Sequence, residues 1–264
     1  MKKFLVIGNP IDHSLSPKLH NYWIKNNKID AVYEKQKLNE NNLKEIMIQI
    51  KEKKINGVNV TVPFKKSVIP FLDELTTEAE KTQSVNTIQF NNKKLVGHNT
   101  DIIGFQKSVE DSKYDLCKKE IFILGAGGVV PSIIFALNKM EVSEITVSNR
   151  TYKKAENLKS QFNKINIVNW GEIPEFDIII NATSLGLNNE TIDLNTPNIG
   201  DGKLFYDVIY NPSETNFLKE AKKFGHKVEN GKLMFVYQAF EAFRLWHKVE
   251  PKITEETLKL LKND

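Results

Sequence analysis

Short apolar runs rich in Val and Ile alternate with segments whose apolar residues recur at helical spacing, through most of the chain. Such alternation predicts α/β units and a largely parallel sheet. In the first half, Phe4–Gly8, Ala31–Lys37, Gly57–Val62 and Ser84–Phe90 predict strands, with helices at Pro17–Asn26, Asn42–Lys51 and Phe64–Phe71. Asn91-Asn92 predicts a tight turn pairing Ser84–Phe90 with a hairpin strand at Lys94–His98. A helix from Asp101 to about Ser108 follows, then a polar stretch, Glu110–Lys119, that marks the passage between two domains. The rhythm restarts with strands at Ile121–Leu124 and Glu144–Ser148, each followed by a helix. Further strands are predicted at Ile165–Val168, Asp177–Asn181 and Leu204–Val208, and helices at Met234–Trp246 and Glu255–Lys262.

A chain of 264 residues is comfortable for two domains, each with its own core. Hydrophobic residues at 40% and charged residues at 27% make an ordinary soluble composition, and no apolar run is long enough to span a membrane. Met1-Lys2-Lys3 before Phe4–Gly8 mimics the start of a signal peptide, but the apolar stretch is too short and lacks a small-residue cleavage site. The single cysteine, Cys117, can form no internal disulfide and has no metal partners at ligand spacing, so no metal is expected and a reducing cytoplasm fits. The net charge of +4 comes from lysines scattered among acids, with only two arginines, Arg150 and Arg244, which argues against a nucleic-acid partner.

Ile121–Leu124 runs directly into Gly125-Ala126-Gly127-Gly128, with helical spacing from Val129. Glycines suit a backbone that turns tightly and approaches a pyrophosphate, and the following helix offers free N–H groups and the positive end of its dipole. The third fingerprint position falls on Val130 rather than Gly or Ala. The next strand ends in Asn149-Arg150-Thr151. An acid there would bond a ribose 2′-hydroxyl; an arginine suits a 2′-phosphate through two-point charge-assisted bonds. With Lys153 and Lys154 close by, this favours NADP over NAD.

These features join Ser14-Leu15-Ser16-Pro17, Asn59-Val60-Thr61-Val62-Pro63-Phe64-Lys65, Val85-Asn86-Thr87, Asn99-Thr100-Asp101, Asn181-Ala182-Thr183-Ser184 and Tyr210-Asn211-Pro212. The ordered set, from Gly8 to Trp246, resembles the shikimate dehydrogenase family. The resemblance implies two α/β domains across a cleft. One is an N-terminal substrate domain, 1–101 plus 237–264, on which the C-terminal helices pack back; the other is a Rossmann-like NADP domain, 102–236. It implies NADPH-dependent, reversible reduction of 3-dehydroshikimate to shikimate on the route to chorismate and the aromatic amino acids, with a small-molecule substrate, no membrane partner, and a monomer or homodimer.

It also implies roles. Lys65 and Asp101 would be the catalytic pair. Ser14 and Ser16 would bind the substrate carboxylate, Thr61, Asn86 and Gln238 its hydroxyls or carbonyl edge, and Tyr210 would line the pocket. Gly125, Ala126, Gly127, Gly128, Val129, Asn149, Arg150, Thr151, Lys154 and Thr183 would bind the cofactor, with Val208 against the nicotinamide. Two departures stand out: Leu233 where the family usually has a second glycine, and Pro131-Ser132 where a basic residue is common.

The chemistry of these residue types agrees independently. Hydride addition to a ketone leaves an alkoxide-like oxygen, which a positioned ammonium can stabilise and protonate. Lysine offers one compact charge with three donors, and a neighbouring carboxylate would orient it. Small hydroxyl and amide groups suit a polyhydroxylated acid, since buried polar groups reject analogues that lack their partners. Blander readings exist for each residue: Lys65-Lys66 as a solvated face, Asp101 as an N-cap, Ser14 and Ser16 as capping groups. His13 and His98 are taken as bystanders, and the stripe Phe235, Tyr237, Phe240, Phe243, Trp246 as helix packing. Rival functions are an NAD-using quinate/shikimate dehydrogenase and a non-catalytic dinucleotide-binding regulator; Arg150 argues against the first, and Lys65 with Asp101 against the second.

Overall fold

The apolar runs fold as the strands of two six-stranded sheets. The computed structural model describes residues 1–194 and 199–261, so Lys262, the last residue of the predicted final helix, lies outside the described residues. The chain divides into two compact units: Met1–Gly104 with 236–261, and Phe105–Phe235.

The first unit carries β1 (Lys2–Gly8), α1 (Ser16–Asn26), β2 (Ala31–Lys37), α2 (Leu43–Lys51), β3 (Gly57–Val60), β4 (Glu74–Leu75), α3 (Thr77–Thr82), β5 (Thr87–Asn91) and β6 (Lys94–His98), and the start of α4 (Asp101–Asp111). Its sheet has the order β2-β1-β3-β5-β6-β4, with β2, β1 and β3 parallel; β5 runs antiparallel to β3 and forms an antiparallel hairpin with β6. The hairpin turns through Asn92 and Lys93, both at positive φ.

β1 lies inside the sheet and is buried along most of its length, which is why it reads as an unbroken apolar run. Leu5 and Ile7 join Leu43, Ile46, Met47 and Ile50 of α2 in one core. Phe4, next to Leu5 and so on the opposite face, packs its ring against Trp246 near the end of the chain.

One expectation fails here. Phe64–Phe71 is not an α-helix but a series of turns closed by a 3₁₀ turn at Ile69–Phe71. Pro70 is the cause, because it removes a helical donor and disfavours the helical region at Ile69. The segment 72–83, not assigned from the sequence, holds β4 and α3, the latter capped by Thr76, whose side chain accepts from the Ala79 N–H.

The second unit adds β7 (Glu120–Leu124), α5 (Val130–Lys139), β8 (Glu144–Ser148), α6 (Tyr152–Gln161), β9 (Ile165–Val168), β10 (Ile178–Asn181), β11 (Leu204–Asp207), α7 (Asn216–Lys223) and β12 (Lys227–Asn230). All neighbours are parallel, in the order β12-β11-β10-β7-β8-β9. The winding reverses between β7 and β10, and in such sheets a crevice opens beyond the carboxyl ends at that point. α7 and β12 escape the sequence reading because only Phe217, Leu218 and Ala221 of α7 are buried, too few to establish a period.

The last elements are α8 (Lys232–His247) and α9 (Glu255–Leu260). The division between units falls at Gly104–Phe105 inside α4 and at Phe235–Val236 inside α8, so the polar stretch Glu110–Lys119 belongs wholly to the second unit. Among the described residues no helix is long and apolar enough to cross a membrane.

Candidate active site

Beyond β3 the chain turns at once, the Phe64 N–H donating to the Thr61 carbonyl and the Val68 N–H to that of Phe64. Lys65 sits in this turn, and its ammonium donates to Asp101 Oδ2 at 2.5 Å. The two side chains are only 12% and 8% exposed, so Lys65 is no solvated surface lysine. Asp101 opens α4, where the helix dipole favours a carboxylate, and its N–H donates to Asn99 Oδ1 at 3.2 Å.

Asn86 supports the pair from the entrance of β5. Its Nδ2 donates to Asp101 Oδ1 at 2.9 Å, with Gln238 Oε1 of α8 at 3.5 Å, while its Oδ1 accepts from the Thr100 N–H at 2.8 Å. Lys65, Asn86, Asp101 and Gln238, spread over most of the chain, are thereby brought into one cluster. Removing one member of a pair this buried strands the other charge, which typically costs about 3–5 kcal/mol.

β1 and β3 are parallel neighbours, so the loops after them share one sheet edge. The Asn9 N–H donates to the Val62 carbonyl at 2.9 Å. A Cβ at Gly8 would fall 2.5 Å from the Thr61 methyl, so glycine is what lets Thr61 pack beside the end of β1. Ser14 and Ser16 lie at the end of the β1 loop. Ser14 Oγ accepts from the Ser16 N–H at 3.3 Å, a local bond at the helix start, whereas Leu15 at the α1 N-cap makes no side-chain cap. That local bond employs one of the two serine hydroxyls. Tyr210 belongs to the second unit, its ring stacked on Phe235 at 4.3 Å.

In the second unit Gly125 leaves β7 with φ 111°, and its N–H donates to the Ser148 carbonyl at 2.7 Å. A Cβ there would be strained and would meet the Ala182 carbonyl oxygen at 2.8 Å. Gly127 is different: its Cβ would meet nothing closer than 3.9 Å, which leaves room for a ligand to approach the backbone. Val129 is the N-cap of α5 and makes no side-chain cap; Val130 and Ser132 donate their N–H groups to the Gly127 and Val129 carbonyls and Pro131 has none, so a phosphate would meet the glycine loop at the positive end of the helix dipole, and Val130, at the third fingerprint position, is fully buried. The loop therefore fits a pyrophosphate.

At the end of β8, Asn149 Nδ2 donates to the Thr151 carbonyl at 2.8 Å, Thr151 is the N-cap residue of α6, and Arg150 and Lys154 stand exposed. Thr183 follows β10, its hydroxyl donating to Asn181 Oδ1 at 2.7 Å, and the Val208 N–H donates to the Asn181 carbonyl. Gly125 and Thr183 thus flank the reversal point between β7 and β10.

Comparison with known proteins agrees. The family model described as Shikimate dehydrogenase substrate binding domain matches residues 6–88, and Shikimate / quinate 5-dehydrogenase matches 107–195. The shikimate dehydrogenase (NADP(+)) of Pelagibacter ubique strain HTCC1062 is 56% identical over 261 residues, 98% of each chain. The chain belongs to the shikimate dehydrogenase family. Among solved structures, the shikimate dehydrogenase of Aquifex aeolicus matches with a TM-score of 0.91 at 37% identity, over 100% of this chain and 98% of that one. The Thermus thermophilus enzyme, in complex with NADP(H) and shikimate, gives 0.90 at 31% identity over 99% and 98%. The fold expected of a shikimate dehydrogenase, an N-terminal substrate domain and a Rossmann-like NADP domain, is the fold observed.

Several residues around the family's motifs draw no role from the sequence. Thr87 and Thr100 lie within quoted motifs, yet only their contacts with Asn86 reveal what they do. Asp207, fully buried at the end of β11, accepts from Thr215 Oγ1 at 2.6 Å, the Ile209 N–H at 3.0 Å and Asn181 Nδ2 at 3.1 Å. Burial raises its pKa to about 6 despite those donors. The resulting knot fixes the strand ends that carry Thr183 and Val208. Leu233 sits in the first turn of α8, while Gly231 is the glycine that is sterically required, because a Cβ there would run into the Val208 carbonyl.

Proposed function

We infer that the chain is an NADP-dependent shikimate dehydrogenase, reversibly reducing 3-dehydroshikimate to shikimate on the route to chorismate and the aromatic amino acids. The observation that carries the mechanism is the buried Lys65–Asp101 pair held by Asn86. Bound NADPH supplies the hydride. We assign to the Lys65 ammonium the stabilisation of the negative charge that grows on the carbonyl oxygen, and delivery of the proton that makes it a hydroxyl. Asp101 orients that ammonium; in the oxidative direction the neutral amine left on Lys65 takes the hydroxyl proton.

Around this pair, Ser14 and Ser16 bind the substrate carboxylate, Thr61, Asn86 and Gln238 its oxygen-bearing edge, and Tyr210 lines the pocket. Gly125, Ala126, Gly127, Gly128 and Val129 receive the pyrophosphate, Asn149, Arg150, Thr151 and Lys154 the adenosine 2′-phosphate, and Thr183 and Val208 the nicotinamide side. The exposed, unpaired Cys117 suits a reducing cytoplasm, and a monomer or homodimer suffices for the chemistry. The deciding assay follows nicotinamide absorbance in four reactions, shikimate or quinate with NADP or NAD. Shikimate with NADP should be fastest by a wide margin; a preference for quinate with NAD would overturn the reading.

A further inference from the structure

Tyr33 belongs to β2, in the core of the first unit, and has no place in any motif the sequence offers. The residue is 1% exposed and its ring lies flat on the His20 imidazole, at 4.1 Å and 6° between planes. His20 is fully buried, and neither of its ring nitrogens has a hydrogen-bond partner. The stack therefore fixes where the Tyr33 hydroxyl can reach. It reaches Asn59 Oδ1, at 2.6 Å.

From there a directed chain runs to the active pair. Asn59 Nδ2 lies 3.1 Å from the Asn86 backbone carbonyl, which can only accept, so the amide nitrogen must face that way. Oδ1 then faces Tyr33, and the phenol must donate. The same Nδ2 donates to Thr87 Oγ1 at 2.9 Å, which leaves the Thr87 hydroxyl proton to point onward, to Asn86 Oδ1 at 3.1 Å or to Thr100 Oγ1 at 3.3 Å, itself bonded to Asn86. Asn86 Oδ1 also accepts from the Thr100 N–H, which can only donate, so Asn86 Nδ2 faces Asp101. Every amide orientation along this path is set by a backbone group rather than chosen. Donors feeding an amide oxygen strengthen donation from its nitrogen, because hydrogen bonds in series polarise one another.

We propose that the Tyr33 hydroxyl is a positioning group for the reaction, acting through Asn59, Thr87 and Asn86 to hold Asp101 against Lys65. The proposal rests on the reading of Lys65 and Asp101 as the catalytic pair. Tyr33 touches no substrate and is not a catalytic residue.

The test is Tyr33→Phe, which keeps the ring and its stack and deletes only the donor. It should lower kcat roughly tenfold, the worth of one well-formed hydrogen bond, with the KM values for shikimate and NADP nearly unchanged. In an Asp101→Asn background the same substitution should cost almost nothing further, because both act through one carboxylate. Tyr206→Phe is the control: it deletes another buried hydroxyl, bonded to Ser108 Oγ at 2.9 Å, and should leave kcat intact while costing comparable stability.

Thr87→Val cuts the same chain in its middle and should reproduce the loss; it decides the matter if Tyr33→Phe folds poorly. Folded Tyr33→Phe or Thr87→Val with wild-type kcat overturns the proposal, as does a full tenfold loss persisting in the Asp101→Asn background. Asp101→Asn with unimpaired turnover overturns the catalytic pair itself. Normal turnover in Tyr33→Phe beside impaired turnover in Asp101→Asn rejects the role of Tyr33 and leaves the pair standing.

Discussion

The two candidate sites are built on opposite plans. In the first unit, side chains from four separate segments lock onto one another: Lys65, Asn86, Asp101 and Gln238 are joined by hydrogen bonds with no ligand needed. In the second, backbone does the shaping, through a left-handed glycine and a second glycine with open space beside it, while the charged side chains stand out in solvent. The difference matches the tasks proposed for them. Transition-state charge is stabilised best by groups already fixed in place, since reorganising them would add to the barrier. A cofactor that must arrive and leave needs a preformed phosphate cradle, and its selectivity can rest on a side chain that closes only on the right ligand.

The sharpest way to break this contrast is Lys65→Ala, which should lower kcat at least about a hundredfold, with a smaller effect on substrate KM. Asp101→Asn should impair turnover too, and the double variant should be hardly worse than the more damaging single. Near-normal kcat in folded Lys65→Ala would reduce the buried pair to a structural one.

Next in size is Arg150→Asp, which should weaken NADP use by roughly ten- to a hundredfold more than NAD use, the worth of a charged hydrogen bond to phosphate. Equal losses with both cofactors in steady-state kinetics would show that Arg150 does not read the 2′-phosphate. Replacing Ser14 and Ser16 together by alanine should raise the shikimate KM by about tenfold and leave NADP affinity alone. An unchanged KM would return Ser14 to its local bond with the Ser16 N–H.

The smallest effect concerns acid, and two buried groups should respond in opposite directions. Burial, aided by His247, lowers the His20 pKa to about 3, against a usual 6.5. Between those values the unfolded chain binds more protons, so stability falls as pH drops below 6.5, by about 0.7 kcal/mol from pH 7 to 6. His247, lowered to about 4 chiefly by burial, adds less because solvent screens it in part. Asp207 runs the other way, since its native value of about 6 lies above its usual 3.8 and protonation in that window favours the fold. Melting temperatures across this range should fall with acid, His20→Phe should flatten the slope, and Asp207→Asn should steepen it. A wild-type slope in both variants would remove these groups from the account.

Much of this is legible in the sequence because period and position coincide there. β1, β7 and β10 are continuous apolar runs, and the glycine loop follows β7 as its motif requires. Lys65 and Asp101 are found through their motifs, not their surroundings; only folding reveals that residues so far apart in sequence come within one hydrogen bond of each other. What escapes is of two kinds. Phe64–Phe71 carries helix-like spacing that Pro70 overrides, and α7 is only eight residues long, with three buried apolar residues on its one apolar face. Tyr33 and Asp207 are polar residues whose roles depend on partners elsewhere in the chain, and no local pattern announces them; Asn59 opens a family motif, but only its partners show what it does.

The order of residues along the chain has a consequence for birth as well as for chemistry. The nucleotide unit is continuous and has its whole core once Phe235 has emerged from the ribosome. The first unit begins earlier yet lacks Phe243 and Trp246, which pack on Trp23, His20 and Phe4 and enter only with α8. Its sheet must wait, with α1 covering that face but α8 still missing from it, while an entire second domain is synthesised and folds as a unit. In that waiting intermediate Phe4 lacks Trp246 and His247, and exposed apolar surface of this kind favours aggregation. The domain that starts first is the last to be finished.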